Sequence, residues 1–242
     1  MHLAKLLLML VSASLLVACN NTPNKPTPAA ANSSTTPEQK SQPIKTMTTA
    51  TLDLTKYGIA NNPDNVLGGL KVGDKAPSFM LQNQDGKTES LEVSLKNGPV
   101  ILVFLRAEWC SFCVRHLKEF QDNIQKIHDT GQAKVLAISP QKRSYMKDFH
   151  LENNLTFPIL YDEDHSVMKD YKVFFHVTEK YNNYIQEAKG SKIEVFNGDA
   201  EPVMPVPATY LIDQNQIIKY VHYDPDYKKR SDLQVVMAEL DK

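Results

Sequence analysis

The apolar run Pro99-Val100-Ile101-Leu102-Val103-Phe104-Leu105 is followed almost at once by Trp109-Cys110-Ser111-Phe112-Cys113, and this junction constrains the chain more than any other feature. The run is short, β-branched and introduced by the turn pair Gly98-Pro99, so it reads as a buried strand over residues 101–105. Beyond the cysteines, Val114, Leu117, Phe120, Ile124 and Ile127 recur at spacings of three and four, one apolar helix face that stops at Gly131. Cys110 therefore sits at or just before a first helical turn, where unpaired N–H groups and the helix dipole favour an anion. A thiolate is such an anion. A free thiol ionises near pH 8.5, and this placement lowers the value to roughly 7 or below.

The chain has three cysteines, and the third, Cys19, lies far from the pair in a segment of another kind. Cys-x-x-Cys can be half of a zinc site, but no second Cys-x-x-Cys and no His-x-x-x-His completes the ligands. Haem attachment needs a histidine directly after the second cysteine, where Val114 stands. His116 could join Cys110 and Cys113 around a soft ion such as Cu(I), although an exposed histidine on the polar helix side is the simpler expectation. An inert disulfide is the remaining alternative, set against the exchangeability of short-loop pairs at helix starts. Arg106 and Glu108 flank the pair: Arg106 could stabilise a thiolate and Glu108 could handle a proton, while an exposed surface pair is the ordinary expectation for such charges. Trp109 is expected to shield the sulfurs by packing, with its indole N–H free for a partner.

A second signal lies far along the chain, where Val206-Pro207 directly precedes the strand pattern Ala208-Thr209-Tyr210-Leu211-Ile212. Such a proline is tolerated at a strand start, and its peptide bond can be cis at small cost. Further strands are expected at 134–139, 157–160, 209–212 and 217–222, alternating with helical patterns. That alternation specifies an α/β domain with a largely parallel centre. Ser231 and Gln234 form a capping-box signature for a last helix with an apolar face of Val236, Met237 and Leu240. Between residues 171 and 205 the aromatics Phe174, Phe175, Tyr181 and Tyr184 could line a substrate groove, with core packing of an inserted helix the leading expectation.

Lys5 precedes an apolar run over residues 6–17, too short for the roughly 20 residues that span a bilayer. It ends Leu16-Val17-Ala18-Cys19, which resembles a bacterial lipobox. The resemblance implies that residues 1–18 are a signal peptide and that the Cys19 sulfur is lipidated, with an ordinary secretory signal as the alternative. Asn20 in place of Asp implies the outer membrane, with the domain facing the periplasm. Residues 19–50 are rich in Pro, Thr, Asn, Ser and Ala and cannot bury enough surface to fold. They read as a tether of about 30 Å r.m.s. reach. Residues 51–242, with a core from about 70, form one domain. A net charge of −1 and the lack of a basic patch give nucleic-acid binding no support.

From about Leu70 onward the sequence resembles the peroxiredoxin-like branch of the alkyl hydroperoxide reductase C and thiol-specific antioxidant family. Val72-Gly73-Asp74-Lys75-Ala76-Pro77-Ser78-Phe79 with Asp85-Gly86-Lys87 is similar to its opening hairpin, and Arg106 to Cys113 to its active-site segment. Ala137-Ile138-Ser139-Pro140, Phe157-Pro158-Ile159-Leu160-Tyr161-Asp162, Pro205-Val206-Pro207-Ala208-Thr209-Tyr210 and His222-Tyr223-Asp224-Pro225-Asp226-Tyr227 resemble its later motifs. The resemblance implies a thioredoxin-like α/β fold with a mostly parallel central sheet flanked by helices and an N-terminal hairpin extension. It implies a cis Pro207 against the dithiol, exposing the Val206 backbone to substrate. Peroxiredoxins carry Pro-x-x-x-Thr/Ser-x-x-Cys; with Cys113 on the reactive cysteine, Arg106 takes the proline position and Cys110 the threonine position. Ala107 stands where the branch has Gly, and Ser111-Phe112 where it has Pro and an aromatic.

Two reactions are then open: reduction of a peroxide through a Cys110–Cys113 disulfide, or reduction of protein disulfides in the envelope. Cys110, nearer the helix terminus, is the expected first nucleophile, while the family alignment allows Cys113. Neither reaction calls for a metal or cofactor, and both need a thiol electron donor, thioredoxin-like or a membrane reductase. A non-enzymatic copper carrier using the thiols with His116 or His222 is a third reading.

Overall fold

The computed structural model describes residues 53–242. The expected signal peptide, lipidated Cys19 and the tether lie outside these residues. Among the described residues no helix is long and apolar enough to cross a membrane.

Seven strands form the main sheet: β1 (Met80–Asn83), β2 (Thr88–Ser90), β3 (Val100–Phe104), β4 (Lys134–Ser139), β5 (Ile159–Tyr161), β8 (Ala208–Ile212) and β9 (Ile218–Tyr223). Their order is β2-β1-β5-β4-β3-β8-β9. The centre, β5-β4-β3, is parallel, and β8, β9, β1 and β2 extend it antiparallel on both sides. Two short strands, β6 (Phe174–His176) and β7 (Val203–Pro205), pair separately. The helices are α1 (Leu91–Leu95), α2 (Ser111–Asp122), α3 (Ile124–Gly131), α4 (Arg143–Glu152), α5 (Ser166–Asp170), α6 (Glu179–Lys189), α7 (Ile193–Asn197) and α8 (Leu233–Leu240). The fold is thioredoxin-like, with the expected N-terminal hairpin in β1 and β2.

Both faces of the sheet are covered, which is why β3 reads as an unbroken apolar run. Val100, Leu102 and Phe104 point into one core with Leu136, Ile138, Tyr210 and Ile212, roofed by the β6/β7 pair and residues of α1, α5, α6 and α7. Ile101 and Val103 point into the other with Val135, Ala137 and Leu211, under Leu117, Phe120, Ile127 and Val236. Gly98 enters β3 at φ 151, where a Cβ would collide with the Gln132 carbonyl, so the approach of this turn to the end of α3 requires glycine.

Three local expectations need correcting. The single helix through Gly131 is two, because Asn123 leaves helical geometry (φ −111, ψ 11) and its side chain donates back to the Glu119 carbonyl. The last helix is capped by Asp232, which accepts from the Gln234 N–H, and not by Ser231. Ser231 is buried and bonded elsewhere. All peptide bonds among the described residues are trans, Val206–Pro207 included.

Candidate active site

The strand-to-helix turn after β3 delivers the dithiol as expected. Cys110 is the N-cap of α2 in extended conformation, and its carbonyl accepts from the Cys113 N–H at 2.8 Å and the Val114 N–H at 3.0 Å. Both cysteines are free and buried, Cys110 at 5% exposure and Cys113 at 2%. Their Sγ atoms share a hydrogen bond at 2.7 Å. No side chain caps the helix, and the positive end of its dipole lies at Cys110.

Two guanidinium groups act on the pair. Arg230, in the turn between β9 and α8, places Nη2 3.4 Å from Cys113 Sγ and 3.9 Å from Cys110 Sγ. Arg106 is 2% exposed. Its guanidinium carbon lies 4.2 Å from the Tyr227 ring centroid, 4.9 Å from Tyr181 and 5.7 Å from Trp109, and Nε and Nη2 have no hydrogen-bond partner. Among the described residues neither Arg106 nor Glu108 enters an ion pair. The expected exposed pair is therefore wrong: the chain reverses direction here and folds Arg106 inward under three aromatic rings.

The environment drives the two thiols apart. Burial pushes Cys113 up, but the hydrogen bond with Cys110 and the charges of Arg230 and Arg106 outweigh it, and its thiol lies well below the ordinary value. Cys110 is pushed up by the hydrogen bond with Cys113, by burial and by the Cys113 charge. The surroundings therefore favour ionisation of Cys113 over Cys110 within a pair of thiols that titrate together. Glu108 is held above the ordinary carboxylate range by burial, and its N–H donates to Gln141 Oε1 at 3.0 Å.

A cavity of about 190 Å³ opens at Cys110, walled by Trp109, Phe112, Tyr181, Tyr184 and Tyr227, with Arg106 contributing to its lining. Tyr181 and Tyr184 are thus groove residues, whereas Phe174 and Phe175 are core. Trp109 packs beside the pair as expected, and its indole N–H is buried without a partner. The Val206 N–H donates to the Val173 carbonyl at 2.7 Å, and both Val206 and Pro207 are buried. The expected free backbone edge at Val206 is therefore occupied.

Behind the thiols runs a buried polar chain. His116 Nε2 lies 2.8 Å from Ser231 Oγ, which donates to Thr209 Oγ1 at 3.2 Å. His116 is buried, not exposed as expected, because the helix turns this position under the loop that carries Ser231. Burial, with the charges of Arg230 and His222, depresses its pKa to about 3, so it is neutral. Among the described residues no three His, Cys, Asp or Glu side chains converge as metal ligands, and His116 is committed to Ser231. Reading the sequence alone missed Arg230 and Tyr227. Tyr227 stood within a quoted motif, but Arg230 lies in an aperiodic loop and carried no local signal.

Residues 72–221 match the AhpC/TSA family. Peroxiredoxin Q of Triticum aestivum chloroplasts is 31% identical over 153 residues, covering 62% of this chain and 70% of that protein. The Oryza sativa subsp. japonica counterpart is 27% identical, with 61% of its length spanned. Peroxidoxin BcpB of Mycobacterium tuberculosis shares the fold at a TM-score of 0.55 and 21% identity, covering 71% of this chain and 96% of that one. The thiol peroxidase of Chromobacterium violaceum does so at 0.53 and 18%, covering 72% and 88%.

Proposed function

Because the chain belongs to the AhpC/TSA family as a peroxiredoxin-like oxidoreductase, we propose that it reduces peroxides through the Cys110–Cys113 pair. The observation that carries this is the pair itself: two thiols in contact at 2.7 Å, with a guanidinium 3.4 Å from Cys113 Sγ that favours charge on that sulfur. Groups whose environments drive their pKa values apart take the roles of base or nucleophile and acid. The Cys113 thiolate attacks the peroxide, the O–O bond breaks, and the Cys110 thiol protonates the departing alkoxide or hydroxide. Cys113 is then a sulfenic acid. The Cys110 thiolate attacks its sulfur and displaces hydroxide, which takes a solvent proton and leaves as water. Arg230 holds the negative charge before attack and faces the oxygen that develops it. The first attack, which the helix position alone assigned to Cys110, thus falls to Cys113, and the Cys110 thiol stands where peroxiredoxins have a threonine hydroxyl.

A thiol donor completes the cycle. We place the protein in the bacterial envelope, anchored by lipid on Cys19 with the domain facing the periplasm, on the strength of the Leu16-Val17-Ala18-Cys19 pattern. The disulfide-reductase reading is weaker, since the backbone edge it would use at Val206 is taken. The test is stopped-flow oxidation of the reduced full chain by stoichiometric hydrogen peroxide beside free cysteine. A rate orders of magnitude above free cysteine, abolished in Cys113→Ser, is expected. A rate like that of free cysteine sinks the proposal.

A further inference from the structure

Arg230 reaches the sulfurs from a loop with little to hold it. In residues 224–232, between β9 and α8, one residue alone is buried, Ser231. The guanidinium moves with that loop, because Nη1 donates to the Tyr227 carbonyl and, at 2.7 Å, to the Lys229 carbonyl. Tyr227 rests its ring on Phe112, centroids 5.8 Å apart, and on Arg106, contacts with little directionality. What Ser231 bonds to therefore fixes where Arg230 Nη2 stands.

Ser231 Oγ lies 2.8 Å from His116 Nε2 and donates to Thr209 Oγ1 at 3.2 Å. With the Ser231 proton given to Thr209, His116 donates from Nε2. Helix α2 carries His116 one turn beyond Cys113 on the same face, and Thr209 belongs to β8, beside β3. All three polar residues are buried, so releasing Ser231 leaves donors and acceptors unpaired away from water, a penalty that holds the loop down. His116, its pKa depressed to about 3, makes this bond without placing a second positive charge behind Arg230. The guanidinium has another place to go. A cavity of about 200 Å³ lies beside it, lined by Phe112, Arg115, His116, Glu119 and Lys228. Glu119 is the competing anion there, yet among the described residues it forms no ion pair with Arg230. An unanchored loop would let the guanidinium turn to that carboxylate and to water; the anchored loop keeps it on the sulfurs.

We infer that His116 and Ser231 are positioning residues for the reacting sulfur: His116, through the Ser231 hydroxyl, locks the loop that carries Arg230 onto α2, so the helix bearing Cys113 also sets the place of the charge facing it. The inference deepens the peroxidase reading and rests on it only for the use made of the Cys113 thiolate. Neither side chain needs to touch substrate. Their effect reaches the chemistry through Arg230 alone, and this separates positioning from a merely structural role: the first vanishes when Arg230 is gone, and the second does not.

The test titrates the thiols of the reduced full chain carrying Cys19→Ser, by ultraviolet thiolate absorbance against pH. No peroxide is present, so the outcome is independent of the stopped-flow measurement above. A cation at this range moves a thiol by about 1–3 pH units, so Arg230→Gln is expected to raise the first thiol midpoint by at least about one pH unit. Ser231→Ala and His116→Phe, which keep Arg230 but remove its anchor, are expected to raise it by at least about half a pH unit, a roughly threefold smaller ionisation constant. His116→Gln, which retains an N–H near the Nε2 position, should titrate like the parent. In the Arg230→Gln background neither anchor variant should move the midpoint further. Urea unfolding of each variant runs beside the titration; where Ser231→Ala does not fold, His116→Phe and His116→Gln carry the comparison. Parent-like midpoints in the anchor variants, the same rise with and without Arg230, or a His116→Gln midpoint as high as that of His116→Phe overturns the inference. An unshifted Arg230→Gln overturns it as well, since there is then no charge to position.

Discussion

A sulfur that attacks a peroxide has to carry its charge before the substrate arrives, and at this site the charge is set by side chains from opposite ends of the domain. Arg230→Gln is expected to slow reaction with hydrogen peroxide by about 10²-fold, the scale of losing one donor aimed at developing charge, measured as the second-order rate constant. Arg106 separates function from stability. It is a buried cation with no carboxylate partner among the described residues, and keeping such a charge out of water is costly. Arg106→Met should therefore leave the urea midpoint unchanged or raised while slowing peroxide reduction; a fall in both would show that the ring contacts dominate. His116 gives a pH signature. Its folded pKa, about 3, lies below the ordinary 6.5, so the unfolded chain binds one more proton between those values. Its contribution to stability is complete above pH 6.5 and is lost as pH falls toward 3, at about 1.4 kcal/mol per pH unit. His116→Phe should flatten that part of the pH profile of denaturant unfolding.

At the level of elements, the site is assembled by a strand end, two helix starts and a turn. The β3-to-α2 junction fixes the thiols, and α6 supplies the cavity wall through Tyr181 and Tyr184. Helix α6 begins at Thr178, whose hydroxyl accepts from the Tyr181 N–H at 3.3 Å. Thr178→Ala should cost about 1 kcal/mol of stability and, by loosening Tyr181, weaken KM for bulky organic hydroperoxides more than the rate with hydrogen peroxide. Calorimetry and paired kinetics check this. The junction was legible in the sequence because a run of apolar residues ending in a Cys-x-x-Cys has few local solutions. Helix α6 was legible only as aromatic content, since its three turns are set among two three-residue strands and a five-residue helix that carry no period of their own.

Over the whole molecule, the domain is proposed to work at the end of a lipidated tether. Cys19→Ser should move the protein from the membrane fraction to the soluble fraction on ultracentrifugation and abolish fatty-acid labelling; unchanged membrane association would remove the anchor from the proposal. The sequence by itself determined the α/β architecture, the parallel centre and the placement of the dithiol at a helix start. Those features depend on apolar periodicity and turn chemistry, which act over a few residues and can be read in order. Only the tertiary structure decided that Arg106 turns inward, that His116 is buried against Ser231, that the Val206 N–H is spent on Val173, and that Arg230 stands 3.4 Å from a sulfur 117 positions away. Charge and solvation depend on what chain closure brings together, and no local pattern records which distant loop will arrive there.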